Sequence, residues 1–497
     1  MRGFANCLIL GALTLAAQTR ADSTPLAGLD SSIEAARQQW HAPGLAVAVV
    51  KDDRVVFMKG FGTRGLGDAA PVDSHTIFTL ASTSKAFVAT AIGILVDDGK
   101  LKFDDPVIRY IPEFRVADPY VTREITIRDL LTHRTGVRQM DILWVRGFDR
   151  ATSIEHMRNA TQASSLRSTW AYNNMMYVVA AEIVTRVSGL PLQDFVQRRL
   201  FAPLAMNDSV FSATQMAQRP DVAGAHLIEE GAARAIPPYT SDAPVGAAGI
   251  HTSVADMTRW IRMLLAQGSF EGRQIVNPAT VAETLRPQML LSNIEYPAAR
   301  EAHPHFYAYG LGWFVQDYKG HVLNMHTGSI FGANALVALV PDMRLGLVIL
   351  INAEPVEYRH AFMYDIVDRY LGQVDRDWNA DLQKVYGDLH RAALSKRAEL
   401  EAKRVPDVPR GGELNDYIGQ YDDALAGDSQ IVAAGDRLLL LMPPDGRFSL
   451  NHWSYDTFEA SDTRAPADRF MLTFRRGADG TVNGYEVDGQ RSVRRMH

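Results

Sequence analysis

The patterning of this 497-residue sequence predicts an α/β domain whose sheet is closed by distant chain segments, followed by a small antiparallel β domain. Three observations carry that expectation. Apolar, β-branched hairpins recur far apart in the chain, helical spacing fills the stretch between them, and from about residue 411 onward short strands alternate with turn signals.

The first hairpin is "GLAVAVVKDDRVVFMKGFG" (44–62), two apolar runs around Lys51-Asp52-Asp53-Arg54. The second is "NALVALVPDMRLGLVILIN" (334–352), joined across Pro341-Asp342-Met343-Arg344, with "HVLNMHTGS" (321–329) offering a strand just before it. Between them, "TIRDLLTHRTG", "MMYVVAAEIVTRVSG", "LQDFVQRRLFAPLAM" and "SVADMTRWIRMLLAQG" space their apolar residues by three and four, with stops such as Gly189 and Gly268. "VEYRHAFMYDIVDRYLG" (356–372) predicts one more amphipathic helix. Leu382, Val385, Tyr386, Leu389 and Ala393 then recur at helical spacing among charges until Pro406 and Pro409, which predicts a helical linker over 376–410. In the remainder, "RLLLLMPPDGRFSL" and "RFMLTFRRGADGTVNGYEV", with turns at Pro444-Asp445-Gly446 and Asp479-Gly480, predict a small barrel or sandwich over 411–497.

Residues 1–21 have the form of an export signal: Arg2, the short apolar run "CLILGALTLAA", and small residues around Thr19-Arg20-Ala21. That run is too short to cross a bilayer, so the expectation is export, to a periplasm or outside the cell, with no stable membrane anchor. The single cysteine, Cys7, lies inside the signal, which leaves a mature chain without disulfides or thiol chemistry. Hydrophobic residues at 47%, charged residues at 22% and a net charge of −6 describe a folded, mildly acidic protein. Without basic runs, no nucleic-acid partner is expected.

The chemistry concentrates in three places. In "FTLASTSKAFVATAIGILVDDGK" (78–100), Ser82 and Lys85 stand three apart at the head of an apolar run that covers nearly the whole circumference of a helix, which predicts burial. At that spacing their Cβ atoms lie about 5–6 Å apart on one face. A serine hydroxyl is a weak nucleophile until a neighbour takes its proton, and a lysine can do so when burial and a helix N-terminus depress its pKa. Serine is also a common helix cap, and S-x-x-K occurs by chance, so the pair gains weight only from company. "STWAYNNMMY" (168–177) supplies Tyr172 and Asn174, able to shuttle a proton and to hold a substrate carbonyl, although Asn174 could equally cap the following helix. "MHTGSI" (325–330) supplies His326, Thr327 and Gly328 at a strand end, where glycine permits close approach of another chain segment.

Together these pieces resemble the S-x-x-K, Y-x-N and K/H-T-G signature of the serine β-lactamase and penicillin-binding superfamily. Their order, and "DDGKLKFDDPV", "ITIRDLLTHRTGV", "AAGIHTSVADMTRW" and "YGLGW", are similar to class C β-lactamases, D-aminopeptidases and related esterases over roughly residues 25–375. The resemblance implies a β-lactamase-like antiparallel sheet flanked by helices, with an all-helical lobe, spanning 22–375. It implies Ser82 as the acylated nucleophile, with Lys85 and Tyr172 sharing the base and leaving-group work. Asn174 would orient the substrate amide, the backbone N–H groups of Ser82 and Ser329 would form the oxyanion hole, and His326, Thr327 and Gly328 would line the pocket. No metal or other cofactor is implied, and "HPH" at 303–305 lacks further ligands for zinc. The substrate would be a small molecule or short peptide.

Two departures matter. His326 stands where familiar β-lactamases have lysine, which would replace a fixed charge by a group expected to titrate near neutrality and weakens the case for β-lactam turnover. "LNDYIGQYDD" (414–423) and "DRFMLTFRRGADGTVNGYEVDG" (468–489) look like the lipocalin-like barrel appended to some peptidase members, with Tyr417 and Tyr421 as core residues. His133 and Tyr309 are left to structure or pocket wall, and His251 is left without a role. The expected function is hydrolysis, through an acyl-enzyme, of amides in small or unusual peptides of the D-aminopeptidase or DD-peptidase kind. An esterase or weak β-lactamase on the same site, or a non-turnover penicillin-binding sensor, are the competing readings.

Overall fold

A computed structural model describes residues 25–495 except 239–241, 243–244, 406–407, 424–425, 444–445, 464–468 and 488–489. The expected export signal with Cys7, the Pro406 stop and most of the 444–446 turn lie outside the described residues. A nine-stranded antiparallel sheet forms the backbone of the first domain. Its strands are β1 (Gly44–Lys51), β2 (Arg54–Gly65), β3 (Asp68–Pro71), β4 (Met289–Leu290), β5 (Tyr307–Tyr309), β6 (Phe314–Tyr318), β7 (His321–Ile330), β8 (Ala333–Val340) and β9 (Leu345–Ile351). They run in the order β4-β5-β6-β7-β8-β9-β1-β2-β3, so the expected hairpins β1–β2 and β8–β9 meet in the middle, where β1 pairs β9 from Leu45↔Ile351 to Lys51↔Leu345.

The central strands are apolar without alternation because both faces of the sheet are covered. Ala46, Ala48, Val50, Val337, Leu339 and Val348 turn to one core with the central helices, while Leu45, Val47, Val49, Leu336, Ala338 and Leu347 turn to another. On the first face lie α2 (Ser84–Asp97), α3 (Asn174–Ser188) and α4 (Val254–Leu265); on the second lie α1 (Leu29–Gln39) and α5 (Tyr358–Leu371). Gly346 lets α4 settle onto β9, since a Cβ there would sit 2.4 Å from the Ile261 side chain. Phe87 of α2 stacks on Trp260 of α4 with centroids 3.9 Å apart, an aromatic pair worth about 0.5–1.5 kcal/mol beyond its buried area. Helices form the lobe between α2 and Met216, and the segment from there to α4, expected to be helical, carries instead a two-stranded hairpin, Ala225–Glu229 with Ala232–Ile236.

After α5, the 25-residue helix α6 (Trp378–Ala402) leads into the second unit, its first turn capped by Asp377 accepting from the Ala380 N–H. Its first turns bury Trp378 and Leu382 against the sheet domain, and most of the rest is exposed, as the charged spacing predicts. The C-terminal strands, from Gly419–Asp423 to Gln490–Arg494, close into an eight-stranded antiparallel barrel, which decides between the barrel and sandwich alternatives. Tyr417 and Tyr421 are fully buried in its core.

Candidate active site

Ser82 sits in a single 3-10 turn, Ala81–Thr83, just ahead of α2, and not within the α-helix itself. Ala81 is held at φ +48°, a left-handed conformation that costs a non-glycine residue about 1–2 kcal/mol. The turn is fixed from several sides. Thr83 Oγ1 donates to Leu80 O (2.8 Å), Leu80 N–H donates to Ile250 O (2.9 Å), and Ile250 N–H donates to Ser84 Oγ (3.1 Å). From the other side β7 presses in: a Cβ on Gly328 would lie 2.0 Å from Leu80 O, so only glycine admits this approach.

Lys85, in the first turn of α2, is fully buried. Its Nζ lies 3.0 Å from Ser82 Oγ, 2.7 Å from Asn174 Oδ1 and 3.0 Å from Ala247 O, and 4.8 Å from the centroid of the Tyr172 ring. Burial lowers its pKa to about 7, with the Asp141 carboxylate pulling the other way. Tyr172 Oη donates to Ser82 Oγ at 2.9 Å. Its phenol is pushed well above the usual range, chiefly by burial and despite the lowering bond to Ser82, so it is neutral at physiological pH. The hydroxyl of Ser82 is thus flanked by a titratable amine on one side and a protonated phenol on the other.

The helix cap on this wall is Asn173, whose side chain accepts from Met175 N–H; Asn174 is the first residue of α3. Asn173 Nδ2 also ties down the carbonyls of Val137 and Arg138, both at 3.1 Å. Asn174 is therefore free of capping and is clamped between Lys85 and Asp141, with Nδ2 donating to both carboxylate oxygens of Asp141 at 3.1 Å. His133 packs under this wall, its ring 4.3 Å from that of Tyr172, and its Nδ1 accepts from Asn173 N–H at 3.1 Å.

On β7, His326 and Thr327 are buried, and Ser329 is exposed, with its hydroxyl donating to Asn334 Oδ1 at 2.7 Å. Thr327 Oγ1 donates to Tyr296 Oη at 2.7 Å. The expectation that His326 titrates near neutrality is overturned. Its imidazole is enclosed, with Nδ1 2.6 Å from Thr327 O and Nε2 2.8 Å from Tyr309 Oη, and burial together with the nearby Lys85 charge lowers its pKa to about 3. The carbonyl requires Nδ1 to carry the proton, so Nε2 accepts from the Tyr309 hydroxyl. His326 is a neutral structural ring. Behind it, Arg359 holds the strand by donating to Gly328 O at 2.6 Å and pairs with Glu357 at 3.0 Å. His251, also left unassigned from sequence, lies 3.0 Å from Thr79 Oγ1, with burial lowering its pKa to about 4.

All three sequence motifs therefore converge on Ser82. What sequence reasoning missed is Asp141 and the Ala247 carbonyl: a lone aspartate in a loop and a backbone oxygen carry no motif. Tyr309, assigned to structure or pocket wall, is the partner that fixes the His326 ring.

A sheet-and-helix domain that sets a half-buried serine against a buried lysine is the arrangement of a serine hydrolase, and comparison with known families gives the same class. The chain belongs to the Beta-lactamase family, whose model matches residues 29–367, and a Domain of unknown function (DUF3471) matches residues 403–495. It is similar to the Unguisins hydrolase ungD of Aspergillus violaceofuscus (strain CBS 115571), at 28% identity over 432 residues, 80% of this chain and 75% of that protein. Penicillin-binding protein 4 of Amycolatopsis lactamdurans is 29% identical over 350 residues, 69% of this chain and 88% of its own length. The octameric penicillin-binding protein homologue from Pyrococcus abyssi shares the fold, with a TM-score of 0.59 at 20% identity over 94% of this chain and 100% of that one.

Proposed function

We propose that the protein is an exported serine hydrolase that cleaves amide bonds in small or unusual peptides, of the D-aminopeptidase or DD-peptidase kind, through an acyl-enzyme on Ser82. The observation that carries the reading is the position of Ser82 Oγ, 3.0 Å from Lys85 Nζ and 2.9 Å from Tyr172 Oη. Neutral Lys85 takes the hydroxyl proton as Oγ bonds to the substrate carbonyl carbon, and the carbonyl oxygen takes up the negative charge. The backbone N–H groups of Ser82 and Ser329 are the donors assigned to that oxygen. When the intermediate collapses, the carbon–nitrogen bond breaks and the Tyr172 phenol gives its proton to the leaving amine. Lys85 then returns a proton to Tyr172, leaving an ester on Ser82 and a neutral amine. Water adds to that ester by the same relay in reverse, releasing the acid and restoring the Ser82 hydroxyl.

The names of the relatives support the substrate class: one is a hydrolase of unguisins and another a penicillin-binding protein. His326 argues against efficient β-lactam turnover, because a neutral imidazole bonded to Tyr309 offers no positive charge to a substrate carboxylate. Export rests on the residue 1–21 pattern.

The test is a ranked panel: D- and L-aminoacyl p-nitroanilides and short peptides, short-chain aryl esters, and a chromogenic cephalosporin. Turnover of anilides or peptides, with the cephalosporin slowest, is the expected result. Esters hydrolysed with no amide cleaved would replace the peptidase reading by the esterase one. A cephalosporin turned over fastest would return the protein to β-lactam chemistry.

A further inference from the structure

The barrel is packed at one part of its interior and open at another. Tyr417 packs on Phe458 and Phe474 with ring centroids 5.3 and 4.7 Å apart. Where the barrel meets the catalytic domain, a cavity of about 300 Å³ remains between residues 138–142 and the barrel strands. Its walls carry Met140, Ile142, Leu440, Met442, Phe470 and Val487, with Arg138, Asp141 and Asp423 as charged members, and it is partly open to solvent. Ile142 also packs against the barrel core.

Two observations connect this cavity to the chemistry. First, Asp141 is one of its walls, and the same carboxylate accepts from Asn174, whose Oδ1 accepts from Lys85, which in turn contacts Ser82. Three hydrogen bonds separate the nucleophile from the cavity wall. Second, the contact between the two domains is anchored. Arg146, 2% exposed, donates through Nε and Nη2 to Pro443 O at 3.1 and 2.8 Å and through Nη2 also to Asp428 O. A buried guanidinium whose Nε and Nη2 donate to barrel carbonyls ties the 138–146 segment to the barrel. The volume is at the lower end of small-molecule sites, and a benzene ring fills a smaller apolar cavity than this one. The apolar side chains on its walls offer dispersion contacts to an aryl or branched alkyl group.

We propose that this cavity is the subsite for the acyl part of the substrate: with the scissile carbonyl at Ser82 and the acyl chain running past Asn174 and Asp141, an aryl or branched alkyl end of that chain seats between residues 138–142 and the barrel. The barrel then belongs to substrate selection. The proposal rests on acylation of Ser82 but not on a preference for amides over esters.

The experiment compares kcat/KM for p-nitrophenyl 4-phenylbutyrate and p-nitrophenyl acetate in the full-length protein, in Val487→Trp, which fills the cavity, and in Phe470→Ala, which enlarges it. The acetyl group is too short to leave the Ser82 cleft. The wild type is expected to favour the phenylbutyrate by tenfold or more. Val487→Trp should cut that ratio at least tenfold, and Phe470→Ala should move the preference to a bulkier biphenylbutyrate. Should the tryptophan variant not fold, the alanine variant carries the test alone. A wild-type ratio near one, or a ratio unchanged in a folded variant, overturns the subsite and leaves the Ser82 chemistry standing. No turnover of either ester by the wild type removes the Ser82 reading and the subsite with it, whereas ester turnover without peptide cleavage removes only the amide preference.

Discussion

If neutral Lys85 is the base, the rate should follow the titration of Lys85. With a pKa of about 7, set first by burial, the amine is neutral in about half the molecules at pH 7, roughly 9% at pH 6 and roughly 91% at pH 8. An ordinary lysine near 10.4 would be neutral in only about 4 molecules in 10,000 at pH 7, so burial multiplies the available base about a thousandfold. The perturbation is therefore pH itself: kcat/KM for a neutral ester should climb about tenfold between pH 6 and 8 along a single-proton limb. No neighbouring histidine supplies that limb, because His326 and His251 are lowered to about 3 and 4 and His133 is lowered well below its ordinary value, in each case chiefly by burial. The assay is initial-rate kinetics with p-nitrophenyl acetate from pH 5 to 9.5 at constant ionic strength, corrected for spontaneous hydrolysis. Lys85→Arg, which cannot deprotonate in this range, should lose the limb together with orders of magnitude in rate. A flat profile, or a limb that survives in Lys85→Arg, would refute the assignment of Lys85 as base.

The same shift appears in stability. Because folding lowers the Lys85 pKa, the unfolded chain binds more protons above pH 7, and this one group should raise the unfolding free energy by about 1.4 kcal/mol per pH unit until its unfolded value near 10.4. Urea unfolding at pH 7.5 and 9.5 should show the wild type gaining stability with pH by an amount on the order of 2–3 kcal/mol that is missing in Lys85→Met. Tyr172→Phe removes the donor 2.9 Å from Ser82 and should cost about 10²–10⁴ in kcat, most severely with poor leaving groups such as amines and least with p-nitrophenolate. Gly328→Ala places a methyl 2.0 Å from Leu80 O, so β7 and the Ser82 turn must separate. Displacement of about 1 Å should cost roughly a hundredfold in kcat, measured beside circular dichroism to confirm the fold.

Much of this was legible because it is local or periodic. The two hairpins announce themselves by β-branched runs around charged turns, and α2, α3 and α5 by apolar spacing. The serine–lysine pair needs only one turn of chain to meet, so its spacing is its geometry. Ser82 itself shows the limit: the helical spacing puts it inside α2, yet the chain takes a 3-10 turn there with Ala81 at φ +48°, a conformation imposed by packing against β7 and the 247–250 segment. His326 fails for a related reason. Histidine in a sequence is a group near neutrality, and only the enclosing Tyr309, the Thr327 carbonyl and full burial make it a neutral ring. Asp141 and Arg146 act across the fold, on Asn174 and on the barrel carbonyls, and a single charged residue in a loop does not say which distant group it will meet.

The central claim is that Ser82 becomes acylated, and intact-mass spectrometry after rapid mixing with p-nitrophenyl acetate tests it most directly. The wild type should show a burst of p-nitrophenolate and one acetyl adduct, mapped to the peptide containing Ser82, and Ser82→Ala should show neither. An adduct at another residue, or a burst that persists in Ser82→Ala, would contradict the account.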